Sequence, residues 1–307
     1  MIDLYRAIWR HTGSQQVLII ILTLVVAALA AVPLDYQKQI INGMHEGADF
    51  SALLNLGLQM AAVILLSLSL KAVLGYRTQV VGESVIRFVR GIGVERSAEA
   101  PGDDRDRVRS GTLANVISSE SEAVGKFVGG SISEPLLQLG TLLSVIGYIA
   151  VMQPMLGLVA LAMILPQVLL VVRTQDHING LIRERVVVLR RSIESATGSA
   201  LEQARQQVLA DFDLLYENRR RIFLWKVSLK LVLGILNGAG LVVILVYGGW
   251  LVTEGRSDVG SIVAATVGLG RIQGPWKDLV AFFRNLSVVH VQYELLRDLG
   301  RSHDQAG

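Results

Sequence analysis

The residues best suited to chemistry are charged side chains that lie inside long apolar runs. Such groups are costly within a membrane and usually face a water-filled cavity or a polar partner. Asp35 and Lys38 are three residues apart, a spacing that favours an ion pair on one helix face. Lys71, Arg271 and Lys277 would suit an anionic or amphipathic substrate if they share a cavity; the alternative is snorkelling or structural pairing. The predicted cavity residues are Asp35, Lys38, Lys71, Arg271, Gln273 and Lys277.

No group of residues predicts catalysis or metal binding. The chain has no cysteine, and its five histidines are scattered without the spacing of metal ligands. Serine, histidine and acidic residues do not recur in a catalytic arrangement. We therefore expect no catalytic residue and no metal ligand in this chain, which leaves open whether it works with an enzyme.

The composition predicts an all-α membrane protein. Of the 307 residues, 51% are hydrophobic, and the mean hydropathy is +0.48, which is too apolar for an ordinary soluble domain. A membrane-spanning helix needs about 20 mostly apolar residues. Six such runs are predicted as transmembrane helices: residues 17–41, 52–76, 134–152, 155–172, 229–251 and 259–283.

The connections between these runs alternate between short and long. Basic residues concentrate in the two long connections, which begin at Arg77 and Arg173, whereas the short connections contain Arg256 as their basic residue. Positive charge favours the cytoplasmic side, so both termini and both long loops are predicted to be cytoplasmic. The basic pI of about 9.3 is thus explained by the cytoplasmic placement of these loops, and no nucleic-acid partner is expected.

Domain boundaries follow from the same pattern. Residues 1–16 are predicted to form an amphipathic elbow on the membrane surface, with a turn at Gly13 and Ser14. Residues 17–300 form the six-helix domain, and residues 301–307 form a polar tail. Glycine pairs four residues apart predict close helix packing at three places: Gly125 with Gly129, Gly234 with Gly238, and Gly270 with Gly274.

Both long loops have helical periodicity. Apolar residues recur every three or four positions from residue 175 to 209, and again from 80 to 92. Each loop is therefore predicted to be a pair of helices that continue out of the membrane. Residues 101–106 are expected to break the first pair, and residues 211–213 to bend the second.

Several motifs give the chain a resemblance to a known family. Pro33-Leu34 followed by Gln39–Asn42, the segment Arg109–Glu120, and Gly255–Ala264 followed by Pro275 resemble stretches of the transmembrane domain of type I ABC exporters. The resemblance covers residues 2–300. The family's first coupling segment commonly has Arg and Asp where this chain has Val116 and Glu120, and the second segment matches only loosely.

The resemblance implies six transmembrane helices, two long cytosolic hairpins, and short coupling helices that dock on an ABC ATPase domain or subunit. It also implies a second transmembrane domain, as a homodimer or heterodimer, and a bacterial inner membrane location. ATP and Mg would bind to the ATPase, and this chain would bind no cofactor. The predicted coupling residues are Ser110, Gly111, Thr112, Leu113, Asn115, Ile117, Gln206, Asp211, Phe212 and Leu215.

The sequence contains no GxxxxGK[ST] phosphate loop and therefore no predicted nucleotide-binding domain. A separate ATPase chain, a lost ATPase and a longer gene product are all compatible with that pattern. The leading hypothesis is a subunit of an ATP-driven exporter that forms half of a translocation pathway. The alternative is a non-transporting membrane interaction or regulatory protein that keeps the exporter fold.

Overall fold

The computed structural model describes residues 2–99, 121–197 and 201–301, and these ranges are entirely helical apart from short connections. Eight helices lie within the described ranges. They are α1 (Ile2–Ala28), α2 (Val32–Glu46), α3 (Phe50–Glu99), α4 (Ser121–Gly130), α5 (Ser133–Met152), α6 (Pro154–Thr197), α7 (Leu201–Thr253) and α8 (Val259–Arg301).

Five helical segments in the described ranges are long and apolar enough to cross a membrane, which confirms an all-α membrane bundle. They are Thr12–His45, Phe50–Gly91, Gly125–Met152, Pro154–Leu189 and Val208–Thr253. The sixth predicted span lies in α8, which is not among them, and Arg271, Lys277 and Asp278 interrupt its apolar run. A sixth membrane crossing therefore stays a prediction.

The first predicted span consists of two helices. Helix α1 ends at Ala28 and α2 begins at Val32, with Pro33 in the first turn of α2. Proline has no backbone N–H and would clash with the preceding turn, so it ends one helix and suits the start of the next. The predicted turn at Gly13 and Ser14 is wrong, because α1 passes through both residues without a break.

The first of two compact units contains residues 1–154 and 251–307. Within it α3 packs along α4, and α8 packs along α2 and α5. The backbones of α3 and α4 touch closely: a Cβ on Gly82 would lie 2.9 Å from the carbonyl oxygen of Gly125, and a Cβ on Gly129 would clash with the carbonyl of Thr78. The close packing predicted for Gly125 and Gly129 is confirmed.

The other two glycine pairs do not form close contacts within the described chain. A Cβ on Gly234, Gly238, Gly270 or Gly274 would have no atom within 4 Å. These pairs make no such contact among the described residues, so close packing at them stays a prediction. Spacing alone gives no information about which helix, if any, lies opposite a small residue.

The second unit, residues 155–250, is an antiparallel hairpin of α6 and α7. The Nε2 of Gln167 donates to the Oδ1 of Asn237 at 2.9 Å, while Ile178 and Leu181 pack with Ile222. The predicted long helical hairpin is confirmed, and the Gln167–Asn237 hydrogen bond connects its two helices. The predicted bend at residues 211–213 is wrong, because α7 runs unbroken from Leu201 to Thr253.

A polar cluster fixes the start of α8 against α2. Asp258 caps α8 by accepting hydrogen bonds from the backbone N–H (2.7 Å) and hydroxyl (2.8 Å) of Ser261. Asn42 donates to Asp258 at 2.8 Å and accepts from the backbone N–H of Gly260 at 2.8 Å. The Nζ of Lys38 lies 3.4 Å from the same carboxylate of Asp258.

The predicted Asp35–Lys38 ion pair is wrong. Lys38 pairs with Asp258, which is distant in sequence. Asp35 instead accepts hydrogen bonds from the hydroxyl of Tyr148 at 3.0 Å and from the amide of Gln39 at 2.6 Å. Each of the two residues therefore ties α2 to a different part of the first unit.

Replacing Asp258 should change the response of stability to acid. Partial burial alone would raise the pKa of Asp258, but hydrogen bonds from Asn42 and Ser261 and the charge of Lys38 lower it below the ordinary 3.8. A lowered folded-state pKa adds stability above the unfolded pKa, and this is lost as pH falls through the folded value. We expect Asp258→Asn to lower the unfolding temperature at pH 7 and to flatten its fall below about pH 4.

Thermal unfolding in detergent from pH 7 to pH 3 measures this effect. Asp49→Asn, which removes an exposed carboxylate from the α2–α3 turn, is the control and should leave the pH profile unchanged. Equal profiles for the two variants would contradict the role assigned to Asp258.

A methyl group on α4 should disturb the contact between α3 and α4. We expect Gly129→Ala to destabilise the protein by about 1–3 kcal/mol, because backbone atoms of α3 must shift to admit the Cβ. Gly57→Ala on α3 is the matched control, since a Cβ there meets nothing within 4 Å. Chemical unfolding in mild detergent compares the two, and equal stability would contradict the close packing.

Candidate functional site

A cavity of about 680 Å³ lies within the first unit. Its walls are the break between α1 and α2, the middle of α3, the first half of α5, and α8 around Pro275. Much of the lining is aliphatic, including Leu29, Ile64, Leu68 and Leu137. A volume of this size with apolar walls and a few polar groups is typical of a small-molecule site.

Two of the predicted residues, Lys71 and Arg271, line this cavity. The Nη1 of Arg271 donates a hydrogen bond of 3.1 Å to the carbonyl oxygen of Ala30. That carbonyl belongs to the break between α1 and α2, where the helical hydrogen-bond pattern is interrupted. Arg271 is half-buried and is thus held at the cavity wall by a backbone group.

Two carboxylates also line the cavity, Glu134 on α5 and Asp278 on α8. Both face the same space, where like charges repel each other. Glu134 was not predicted to face a cavity, whereas Asp278 is an ionisable residue inside the sixth predicted span, as Arg271 is. Asp278 follows Arg271 by seven residues, a spacing of two helical turns that places both on one face. This spacing could have indicated that Asp278 lines the same cavity as Arg271. Glu134 begins an apolar run and looked like a boundary residue.

The four charged groups of the cavity form no ion pairs with any residue that the structure describes. Across residues 2–99, 121–197 and 201–301, no salt bridge involves Lys71, Glu134, Arg271 or Asp278. The side chains of Lys71, Glu134 and Asp278 are exposed to the cavity. The formal charges balance, with two cations and two anions facing one apolar space.

The other predicted cavity residues lie elsewhere. Asp35 and Lys38 belong to the polar contacts of α2 described above, and Gln273 is not part of the lining. Lys277 is exposed, and its Nζ lies 5.8 Å from the ring of its buried neighbour Trp276. The cavity lining therefore includes two of the six predicted residues.

The predicted coupling residues have mixed outcomes. Ser110, Gly111, Thr112, Leu113, Asn115 and Ile117, together with the predicted break at residues 101–106, lie outside the described residues. Gln206 and Phe212 are exposed on α7 and Leu215 is half-buried, so these three stay docking candidates.

Asp211 requires a correction. Its side chain is only 2% exposed, and its Oδ2 accepts a hydrogen bond of 3.1 Å from the hydroxyl of Ser192 on α6. The carboxylate is therefore turned into the hairpin and not toward a partner. This hydrogen bond joins α6 to α7 close to the C-terminal end of α6.

Comparison with known proteins identifies the family. A family model described as the ABC transporter transmembrane region matches residues 17–195. The chain belongs to this family. No curated protein matches the chain. As an ABC transporter transmembrane region, the chain is an integral membrane protein, and the resemblance drawn from its motifs is confirmed. The matched range includes Lys71 and Glu134 of the cavity but ends before α7 and α8.

Loss of the Ser192–Asp211 hydrogen bond should loosen the hairpin. We expect Ser192→Ala to destabilise the end of the hairpin by about 1–3 kcal/mol, because a buried carboxylate loses a donor. Hydrogen exchange of backbone amides in α6 and α7 measures this as faster exchange near residues 192 and 211.

Asp213→Ala, two residues from Asp211 and exposed, serves as the control for a change on the same helix. Its exchange should match the unaltered protein. Unchanged exchange in Ser192→Ala would show that the hydrogen bond does not hold the two helices together.

Proposed function

We propose that this chain is the membrane-spanning subunit of an ATP-driven exporter and contributes half of a translocation pathway. The observation that carries the proposal is the length of α6 and α7 in a member of the ABC transporter family. The helices have 44 and 53 residues, or about 66 and 80 Å at 1.5 Å per residue. Since the hydrocarbon core of a bilayer is about 30 Å thick, each extends more than 30 Å beyond it.

Helices of this length are suited to carrying movement from an ATPase to the membrane. The hairpin of α6 and α7 is held at several levels, by Gln167 with Asn237, by Ile178 with Ile222, and by Ser192 with Asp211. A hairpin fastened along its length can move as one body when its end is displaced. We assign docking to this end and to the segment around Asn115.

The nucleotide chemistry is assigned to a partner. The 307 residues contain no phosphate loop, so ATP and Mg bind to an ABC ATPase domain or subunit. The pathway is completed by a second transmembrane domain, either a copy of this chain or a related one. The substrate enters the cavity lined by Lys71 and Arg271.

The expected location is the bacterial inner membrane, with both termini and both hairpin ends in the cytoplasm. The support for this orientation is the concentration of arginine in the two hairpins, which favours the cytoplasmic side. Docking on a cytoplasmic ATPase requires the same orientation.

The absence of cysteine permits a direct test of docking. Asn115→Cys introduces one unique thiol, which we expect to crosslink to the ATPase subunit through a short thiol-to-amine reagent. The crosslinked band should appear on a denaturing gel and should contain both chains by mass spectrometry. The experiment uses the full chain expressed together with each ABC ATPase encoded beside it.

Ser51→Cys is the matched control. Ser51 is exposed at the start of α3, whereas Asn115 follows the end of α3 in the sequence. It should give no crosslink in the same membranes. Equal crosslinking of the two variants, or no crosslink from Asn115→Cys with any such ATPase, would contradict the proposed coupling and favour a non-transporting role.

A further inference from the structure

We infer that the cavity of the first unit binds an apolar zwitterion, with its anionic group at Arg271 and its cationic group at Glu134 and Asp278. This assignment rests on the proposed transport function and specifies the class of substrate. It follows from three properties of the cavity: the unpaired charges, their spacing along α8, and the apolar walls.

The charge balance excludes a strong preference for a simple ion. Lys71 and Arg271 oppose Glu134 and Asp278 in one cavity, so the net formal charge is zero. An anion gains attraction from two groups and repulsion from two others, and the same holds for a cation. A molecule with both charges gains at both places, provided that the spacing of its charges matches that of the protein.

The spacing follows from the helix that carries one group of each sign. Arg271 and Asp278 both lie on α8 and both line the cavity. Seven residues at 1.5 Å per residue separate them by about 10 Å along the axis. Glu134 and Asp278 line the same cavity, and an ammonium group between the two carboxylates would offset the repulsion of their like charges.

Arg271 is prepared to receive an anion. Its hydrogen bond to the carbonyl of Ala30 holds the guanidinium at the wall, which reduces the rotamer entropy lost on binding. A guanidinium has five N–H donors, so donors remain for a carboxylate. Among the described residues no carboxylate lies within 4.0 Å of it.

The walls between these charges are apolar. Leu68, Leu74, Leu137 and Val145 are among the lining residues. A polar zwitterion would lose hydration against these side chains without compensation. The ligand therefore needs an aliphatic or aromatic body between its two charged groups.

Trileucine and its capped forms provide a matched set of probes. Three extended residues span about 10 Å, so the free peptide carries its amine and carboxylate at the required distance. The amide lacks the anion, the N-acetyl form lacks the cation, and the N-acetyl amide lacks both. Binding to the purified chain in detergent, without any ATPase, is measured by calorimetry at pH 7.

We expect trileucine to bind at least tenfold more tightly than either singly capped form. Arg271→Gln should bind trileucine and its amide equally while still preferring the free amine to the acetylated form. The double change Glu134→Gln and Asp278→Asn should bind trileucine and its N-acetyl form equally, while still preferring the free carboxylate to the amide. Lys277→Gln, a cation on α8 outside the cavity, should behave as the unaltered chain.

Arg271→Lys separates loss of charge from loss of folding, because it keeps the cation and should keep the preference for the carboxylate. Three results would overturn the inference: equal binding of all four peptides, binding of none, or a persistent carboxylate preference in Arg271→Gln. The binding measurements contain no ATPase. A failed crosslink from Asn115→Cys would therefore not change what they show about the cavity.

Discussion

The break between α1 and α2 leaves backbone carbonyls without their helical partners in a segment that lies within a membrane span. A bilayer core offers no water to satisfy such groups, so they must find donors inside the protein. Arg271 on α8 donates to the carbonyl of Ala30, and the hydroxyl of Ser144 on α5 approaches that of Ala28 at 3.4 Å. The arrangement of α1, α2, α5 and α8 depends on these contacts being made.

The contact between Arg271 and Ala30 requires α8 to be in one register against α2. The polar cluster of Asn42, Asp258 and Gly260 sets that register where α8 begins. Further along, Gly268 leaves room for the side chains of Leu34 and Ile149. Arg271 then reaches the break, because α2 and α8 run antiparallel from the cluster to Ala30. The cap of α8 and the position of its cavity-facing guanidinium are thus parts of one interface.

Local patterns predicted local structure well. The apolar runs located five of the six predicted spans, and the period of apolar residues located the long hairpin of α6 and α7. Gly125 with Gly129 correctly indicated a close helix contact. Pro33 was a sign that the first span is two helices, but the apolar run from residue 17 to 41 was taken to continue through it. The bend expected at residues 211–213 is absent, because α7 continues through them and Asp211 is buried with a hydrogen bond from Ser192.

Contacts between distant residues were beyond the reach of the same reasoning. Lys38 was paired with its neighbour Asp35, yet its partner Asp258 is a helix cap whose location depends on how α2 meets α8. The cavity shows the same limit. Its cations were predicted from their positions inside spans. Glu134, in contrast, lines the cavity because the short helix α4 places the start of α5 beside α3 and α8.

The proline in α8 adds to the polar character of the cavity. Pro275 has no N–H, so the carbonyl of Arg271, four residues earlier, lacks its usual helical donor. Leu29 and Ala30 on one wall and Arg271 on another therefore both contribute backbone that departs from the regular helical hydrogen-bond pattern. Such backbone is tolerated at membrane depth where it lies in protein or lines a water-filled cavity. Together with four charged side chains that form no ion pairs among the described residues, this backbone places several polar groups in a cavity whose walls are otherwise mainly apolar.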